Sequence, residues 1–209
     1  KDRIDFFLLS LKYLEKMDEL FAGRPHPDKT AIFLSILLLN EPPNKTSALM
    51  AKMNASRKIR DIISETDEFL LITRTEFDKL IANRERLKLK ATSYRHKRDE
   101  KVKTGYQKQP VISDLDIFRL FKNRSSEFLI IFLSAVNNKQ AYDSVIRYIL
   151  KLSDIKTSID GNILKNMGIA PGPVFRVIMD KITEKKAAGL LGNHTDEIKY
   201  ARELANELT

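Results

Sequence analysis

The sequence predicts an all-α protein. Apolar residues recur at threes and fours through most of the chain, no segment sustains two-residue alternation between turn signals, and glycines and prolines stand where the periodic segments end. The expected architecture is an elongated helical bundle in two sub-bundles, without a catalytic sheet domain. A body-like helical region over residues 1–83 and a tail region over residues 111–209 would be joined by a basic connector over residues 84–110.

Ile4, Phe7, Leu8, Leu11, Leu14, Met17, Leu20 and Phe21 mark one face of a first amphipathic helix, which Gly23, Pro25 and Pro27 end. Asp28 caps a second helix reaching Asn40. It is apolar on almost every side from Ala31 onward, as a helix among other helices is, and Pro42 and Pro43 stop it. A short helix follows from Thr46 to Met53. Ser56 then opens a longer pattern through Ile59, Ile62, Ile63, Phe69, Leu70, Phe77, Leu80 and Ile81, with candidate breaks at Thr66–Asp67 and at Thr73–Thr75.

From Leu87 to Gln109 the apolar spacing fails while charge rises, the pattern of a solvated connector and the best internal boundary. Beyond it, Ser113 caps a helix carrying Leu115, Ile117, Phe118, Leu120 and Phe121, and Ser125 or Ser126 opens another from Phe128 to Val136. A third runs from about Lys139 to Leu152. Asp160 to Gly168 gives a short helix that Gly168 can close in a left-handed cap. Ile169-Ala170-Pro171-Gly172-Pro173 makes a tight turn, and its last proline suits the first position of a helix striped by Val174, Phe175, Ile178, Met179 and Ile182. Thr195 is the expected cap of a final helix, with Asp196 and Glu197 at its positive end.

Composition excludes several classes of function. The chain has 209 residues and no cysteine, so disulfide scaffolds, zinc fingers, iron–sulfur centres and thiol catalysis are ruled out. Three scattered histidines, His26, His96 and His194, offer little for a metal site and read as surface or turn residues. No run approaches the ~20 apolar residues needed to cross a bilayer. With no secretory leader pattern at Lys1, the chain reads as part of a longer cytoplasmic protein.

The net charge of +9 is concentrated rather than spread. Arg84, Arg86, Lys88, Lys90, Arg95, Lys97, Arg98, Lys101, Lys103 and Lys108 face only Glu85, Asp99 and Glu100, so this segment carries +7 of the total. Dispersed cations of this kind suit RNA phosphates, and Tyr94 and Tyr106 among them could stack on bases; a solvated linker is the plainer alternative.

Gly161 to Leu164, Met167-Gly168-Ile169 and Pro171-Gly172-Pro173, with the helix after them, resemble the tail of bacterial tRNA nucleotidyltransferases, the CCA-adding and A-adding enzymes, and of their poly(A) polymerase relatives. The Gly189 to Ala201 stretch with Thr195-Asp196-Glu197 is similar to that family's end, and Asp116 to Phe121 with Ser126 to Leu133 to a preceding helical pair. The specific part covers roughly residues 113–204. The chain departs from the family at Ile163, where an aspartate is usual, so a role of that carboxylate in capping or in facing RNA does not carry over.

The resemblance implies two-metal nucleotidyl transfer by aspartates on a sheet, with Mg2+ and ATP or CTP held in an N-terminal head domain. This chain has neither the glycine-rich turn nor the strand for that chemistry, and the family's Glu-Asp-x-x-Arg motif is missing. Asp114-Leu115-Asp116 has the spacing of a metal-binding pair but sits at the start of a helix, where acids are favoured anyway. The expectation is therefore a noncatalytic fragment without its own cofactor, which holds and orients tRNA or another RNA 3′ end. The expected RNA-binding residues are Arg84, Arg86, Lys88, Lys90, Tyr94, Arg95, Lys97, Arg98, Lys101 and Lys103, with Gly172 and Arg176 at the tail turn. There, Gly172 would admit the RNA backbone while Arg176 and the free amides of the new helix receive a phosphate. Phe175 and Met179 read as core rather than stacking groups. The alternative is a helical protein–protein adaptor whose basic loop reads an acidic partner.

Overall fold

The apolar faces read from the sequence assemble into an all-α structure. A computed structural model describes residues 3–21, 25–95 and 112–208, and all regular structure among the described residues is helical. The elements are α1 (Arg3–Lys16) with a 3₁₀ turn at Asp18–Phe21, α2 (Lys29–Leu38), α3 (Pro43–Lys52), α4 (Arg57–Arg95), α5 (Asp114–Phe121), α6 (Ser126–Val136), α7 (Lys139–Arg147) running into a π turn at Tyr148–Leu152, α8 (Gly161–Asn166), α9 (Pro173–Ala187) and α10 (His194–Leu208). The chain forms two compact units. The first comprises Lys1–Ile112 and Leu120–Ile146; the second comprises Ser113–Arg119 and Arg147–Thr209.

Helix starts follow local capping chemistry. Asp28 accepts from the amides of Thr30 and Ala31, Ser113 from Asp116, Ser125 from Phe128, and Asp160 from Asn162 and Ile163. Two expectations change. Pro43 is the first residue of α3 rather than the stop of α2, which ends at Leu38 before a left-handed Asn40. At α10 the side chain that accepts from the Asp196 amide belongs to Asn193, so the cap lies two residues before Thr195.

The largest correction concerns α4. Its 39 residues run unbroken through both candidate breaks and on through 84–95, the first part of the segment expected to be a connector. No glycine or proline occurs from Arg57 to Arg95, and the residues around Arg86 are strong helix formers, so nothing in this stretch stops the helix that its packed half nucleates. The threonines do not interrupt it, because Thr66 and Thr75 each donate their hydroxyl to a carbonyl four residues back.

In the first unit, α6 is the centre, packed against α1, α2 and α4. Every residue from Glu127 to Ser134 is buried. Phe132 meets Phe77 at 5.5 Å and Phe121 at 5.2 Å between ring centroids, both edge-to-face. Ser10 of α1 donates to Ser134 of α6 across 2.8 Å, a buried polar link within the apolar contact. Glu127, only 4% exposed, accepts from the Asp28 amide at 2.9 Å and pairs with Lys58 at 3.4 Å, which fixes the start of α6 against the start of α2.

In the second unit, α8, α9 and α10 close around Ile159, Leu164, Ile169, Ile178, Ile182, Ala201, Leu204 and Ala205. Phe175 and Met179 pack against this cluster, in agreement with their reading as core. Arg119 donates to Glu184 at 2.9 and 2.5 Å. Asp114 receives Lys151 at 2.5 Å and Arg147 at 3.4 Å, and Asp116 receives the Ser113 hydroxyl at 2.5 Å. The Asp-x-Asp pair thus serves a helix start, as its position suggested.

Candidate nucleic-acid interface

The tail turn is built by two different chain reversals. At the end of α8, Gly168 has φ +83°; its amide donates to Lys165 and the Ile169 amide to Leu164, which satisfies the last carbonyls of the helix. Gly189 closes α9 in the same way, its amide donating to Lys186 and that of Leu190 to Lys185. Ile163, where the resembling family has aspartate, packs against the tail core, and Asp160 performs the capping instead.

Gly172 differs from Gly168. Its φ of 163° is extended backbone open to any residue, so the turn does not require glycine for its conformation. A Cβ at this position would meet nothing within 4 Å. Gly172 is exposed and precedes a 15-residue helix whose first turn no side chain caps. Such an end carries positive potential, but Pro173 has no N–H and the Phe175 amide already donates to the Gly172 carbonyl at 3.1 Å, which leaves the Val174 amide for an anion.

Arg176 stands on the first turn of α9 with its side chain 86% exposed. Its nearest carboxylate oxygen, on Asp180, is 4.0 Å away, at the outer limit of an ion pair. A contact so exposed constrains the guanidinium weakly. Lys165 and Lys181 are also exposed on α8 and α9.

The other expected residues divide between helix and undescribed chain. Arg84, Arg86, Lys88, Lys90, Tyr94 and Arg95 all lie on α4, and the Arg86 side chain is exposed. Lys97, Arg98, Lys101 and Lys103 lie outside the described residues, as do His96 and Tyr106. Placement on a helix spaces the cations of residues 84–95 along about 17 Å of axis, at 1.5 Å per residue. His194 pairs its Nδ1 with the Ser158 hydroxyl at 2.8 Å, a link at the start of α10.

Glu197 has a role that sequence reading did not reach. Expected only as an acid complementing the start of α10, it is 1% exposed and accepts from Lys186 Nζ at 2.6 Å, Thr157 Oγ1 at 2.7 Å and the Ser158 amide at 2.7 Å. Burial pushes its carboxyl upward, but the Lys186, Thr157 and Ser158 hydrogen bonds outweigh that and hold it at about 2. Glu197 therefore ties the end of α9, the start of α10 and the loop before α8 together. Among the described residues no group of three or more His, Cys, Asp and Glu is placed to hold a metal ion, and no helix is long and apolar enough to cross a membrane.

No protein-family model matches the chain, and no solved structure matches it. Over 91 residues, 44% of this chain, it is 30% identical to an A-adding tRNA nucleotidyltransferase of Geobacter sulfurreducens, of which those residues are 10%. The chain thus matches a small part of a much longer protein, and the similarity is to the kind of enzyme that its tail motif resembles.

Proposed function

We propose that this chain is a noncatalytic RNA-binding part of a nucleotidyltransferase, holding and orienting tRNA or another RNA 3′ end for nucleotide addition by a separate head domain. The match to the A-adding enzyme carries this reading. An exposed Arg176 beside an uncapped helix start, and a basic series along the end of α4, support it. In this reading the cations neutralise phosphates, the Val174 amide and Arg176 address one phosphate together, and Gly172 leaves room for the backbone. Metal ions and nucleoside triphosphates belong to the head domain, and the parent protein works in the cytoplasm.

The test is tRNA binding by the purified chain across a salt series. Affinity is expected to fall with salt, with a log–log slope of about −0.7 to −0.9 per phosphate neutralised. A flat response would overturn the reading in favour of an adaptor for an acidic protein. Arg176→Ala is expected to weaken tRNA binding by about 1 kcal/mol with unchanged thermal stability. An early-melting variant that binds normally once folded would make Arg176 a structural partner of Asp180.

A further inference from the structure

Helix α1 carries more apolar side chains than the first unit covers. Ser10 and Leu14 are buried, while Ile4 is 65% and Leu8 56% exposed. On α2, Phe33 and Leu37 are 42% and 41% exposed, although the residues around them are buried. These four side chains form one surface. A spacing of four sets Ile4 with Leu8, and Phe33 with Leu37, on a single stripe of each helix. The Phe7 ring meets that of Phe33 edge-on at 4.9 Å between centroids. Arg3 ties the start of α1 to the end of α2, donating to the Leu37 carbonyl and, at 3.1 Å, to that of Leu39. The two helices therefore run antiparallel, with Leu8 and Phe33 at one level and Ile4 beside Leu37. The exposed patch is on the order of 400 Å², the size at which a contiguous apolar surface marks an interaction site.

The charges beside the patch indicate what covers it. Asp5 and Lys12 are exposed, and neither side chain has a hydrogen-bond or ion-pair partner among the described residues. Seven residues apart, they stand on the same side of α1 about 10 Å from each other along the axis, with Leu8 between them. A patch flanked by one sign of charge calls for a partner of the opposite sign. One flanked by both signs, placed about its middle, is complementary to itself when turned end for end.

We propose that the α1–α2 face pairs with the same face of a second copy of this chain, about a two-fold axis that lies in the face and crosses the helices at the level of Leu8 and Phe33. Each α1 then runs antiparallel to its counterpart, Leu8 and Phe33 pack near their own symmetry mates, and Asp5 of each copy meets Lys12 of the other in two equivalent ion pairs. The apolar patch, doubled across the axis and extended by its charged rim, buries about 1,200 Å², the small end of specific interfaces, so the association is weak. The inference goes beyond the RNA-binding reading and does not depend on it.

The experiment is sedimentation equilibrium of the whole chain from about 1 to 500 μM, in which a monomer–dimer equilibrium with a Kd on the order of 50 μM is expected. Leu8→Lys sets two like charges at the axis and should abolish the dimer. Lys12→Glu faces Asp5 with a second acid at both contacts and should weaken it about tenfold. The double variant Asp5→Lys/Lys12→Glu re-forms both pairs with their signs reversed and should associate within about threefold of the wild type. All three side chains are exposed, so each variant should keep the wild-type circular dichroism at low concentration. A dimer that survives Leu8→Lys, or a folded double variant that associates no better than Lys12→Glu, would overturn the proposal. So would a wild-type chain that stays monomeric throughout, because the face would then belong to a different polypeptide segment.

Discussion

In the α6 region of the first unit, eight consecutive buried residues from Glu127 to Ser134 meet the fully buried rings of Phe77 and Phe121. In the α8–α10 region of the second, the buried cluster is isoleucine, leucine and alanine, with Phe175 and Tyr200 only partly covered. Each region also sinks one glutamate from a helix's first turn, but with different partners. Glu127 has one backbone amide and a 60%-exposed lysine; Glu197 has a lysine, a hydroxyl and an amide at 2.6–2.7 Å. Where side chains are large, packing sets the geometry. Where they are small, a carboxylate with several donors and glycine caps take over that work.

The contrast is broken most severely at Phe132. Phe132→Ala removes a ring that two others contact edge-on and is expected to cost about 3–5 kcal/mol by urea unfolding. A loss below about 1 kcal/mol would show that the aromatic cluster collapses around the gap and does not set the first unit's geometry.

The tail's counterpart is Glu197. Glu197→Ala takes a carboxylate from Lys186, which keeps the Lys156 carbonyl, and leaves the Thr157 hydroxyl and the Ser158 amide without that acceptor; a loss of about 3 kcal/mol is expected. Glu197→Gln should lose less, because an amide oxygen still accepts. Equal stability of the alanine variant would mean that water replaces the carboxylate and that the apolar cluster alone holds the tail.

Acid sharpens the same comparison without mutation. The Glu197 carboxyl sits at about 2 in the folded chain against an ordinary 4.5, so its contribution is complete above pH 4.5 and is lost as pH falls toward 2. The shift corresponds to roughly 3 kcal/mol across that window, with tail stability rising as pH rises. In the first unit Glu41 is also lowered, by hydrogen bonds from Lys45 and Arg3, but both cations are exposed. Added salt should therefore erase the Glu41 effect and leave that of Glu197. Acid melting followed by tail and body resonances separates them.

Such differences set what the sequence could tell. Helix starts were legible because a cap is local: Asp28 and Ser113 act as their positions suggest, and of Ser125 and Ser126 it is Ser125 that caps α6. The length of α4 was not, because the apolar spacing fails before the helix does, and a stretch with no glycine or proline continues it to Arg95. The tail motif was legible as a pattern of glycines and prolines. Its chemistry was not, because the burial of Glu197 depends on Thr157 and Ser158, some forty residues away. The packing of Met50 on α3 with Ile63 on α4 is a pairing that periodicity cannot show.

The smallest expected effects separate two glycines only four residues apart. Gly168 has φ +83° and open space within 4 Å of where a Cβ would sit, so Gly168→Ala costs only the strain of a left-handed alanine, about 1 kcal/mol. Gly172 is extended and equally open, so Gly172→Ala should change stability by no more than about 0.5 kcal/mol. If glycine at 172 serves the fold, both variants melt early, and the extended geometry at Gly172 is not the one that matters. If it serves close approach of an RNA backbone, Gly172→Ala keeps its melting temperature and loses tRNA affinity, whereas Gly168→Ala loses stability and binds in proportion to the folded fraction. Measuring melting and tRNA binding on the same two samples distinguishes a glycine kept for its own backbone from one kept for a partner's.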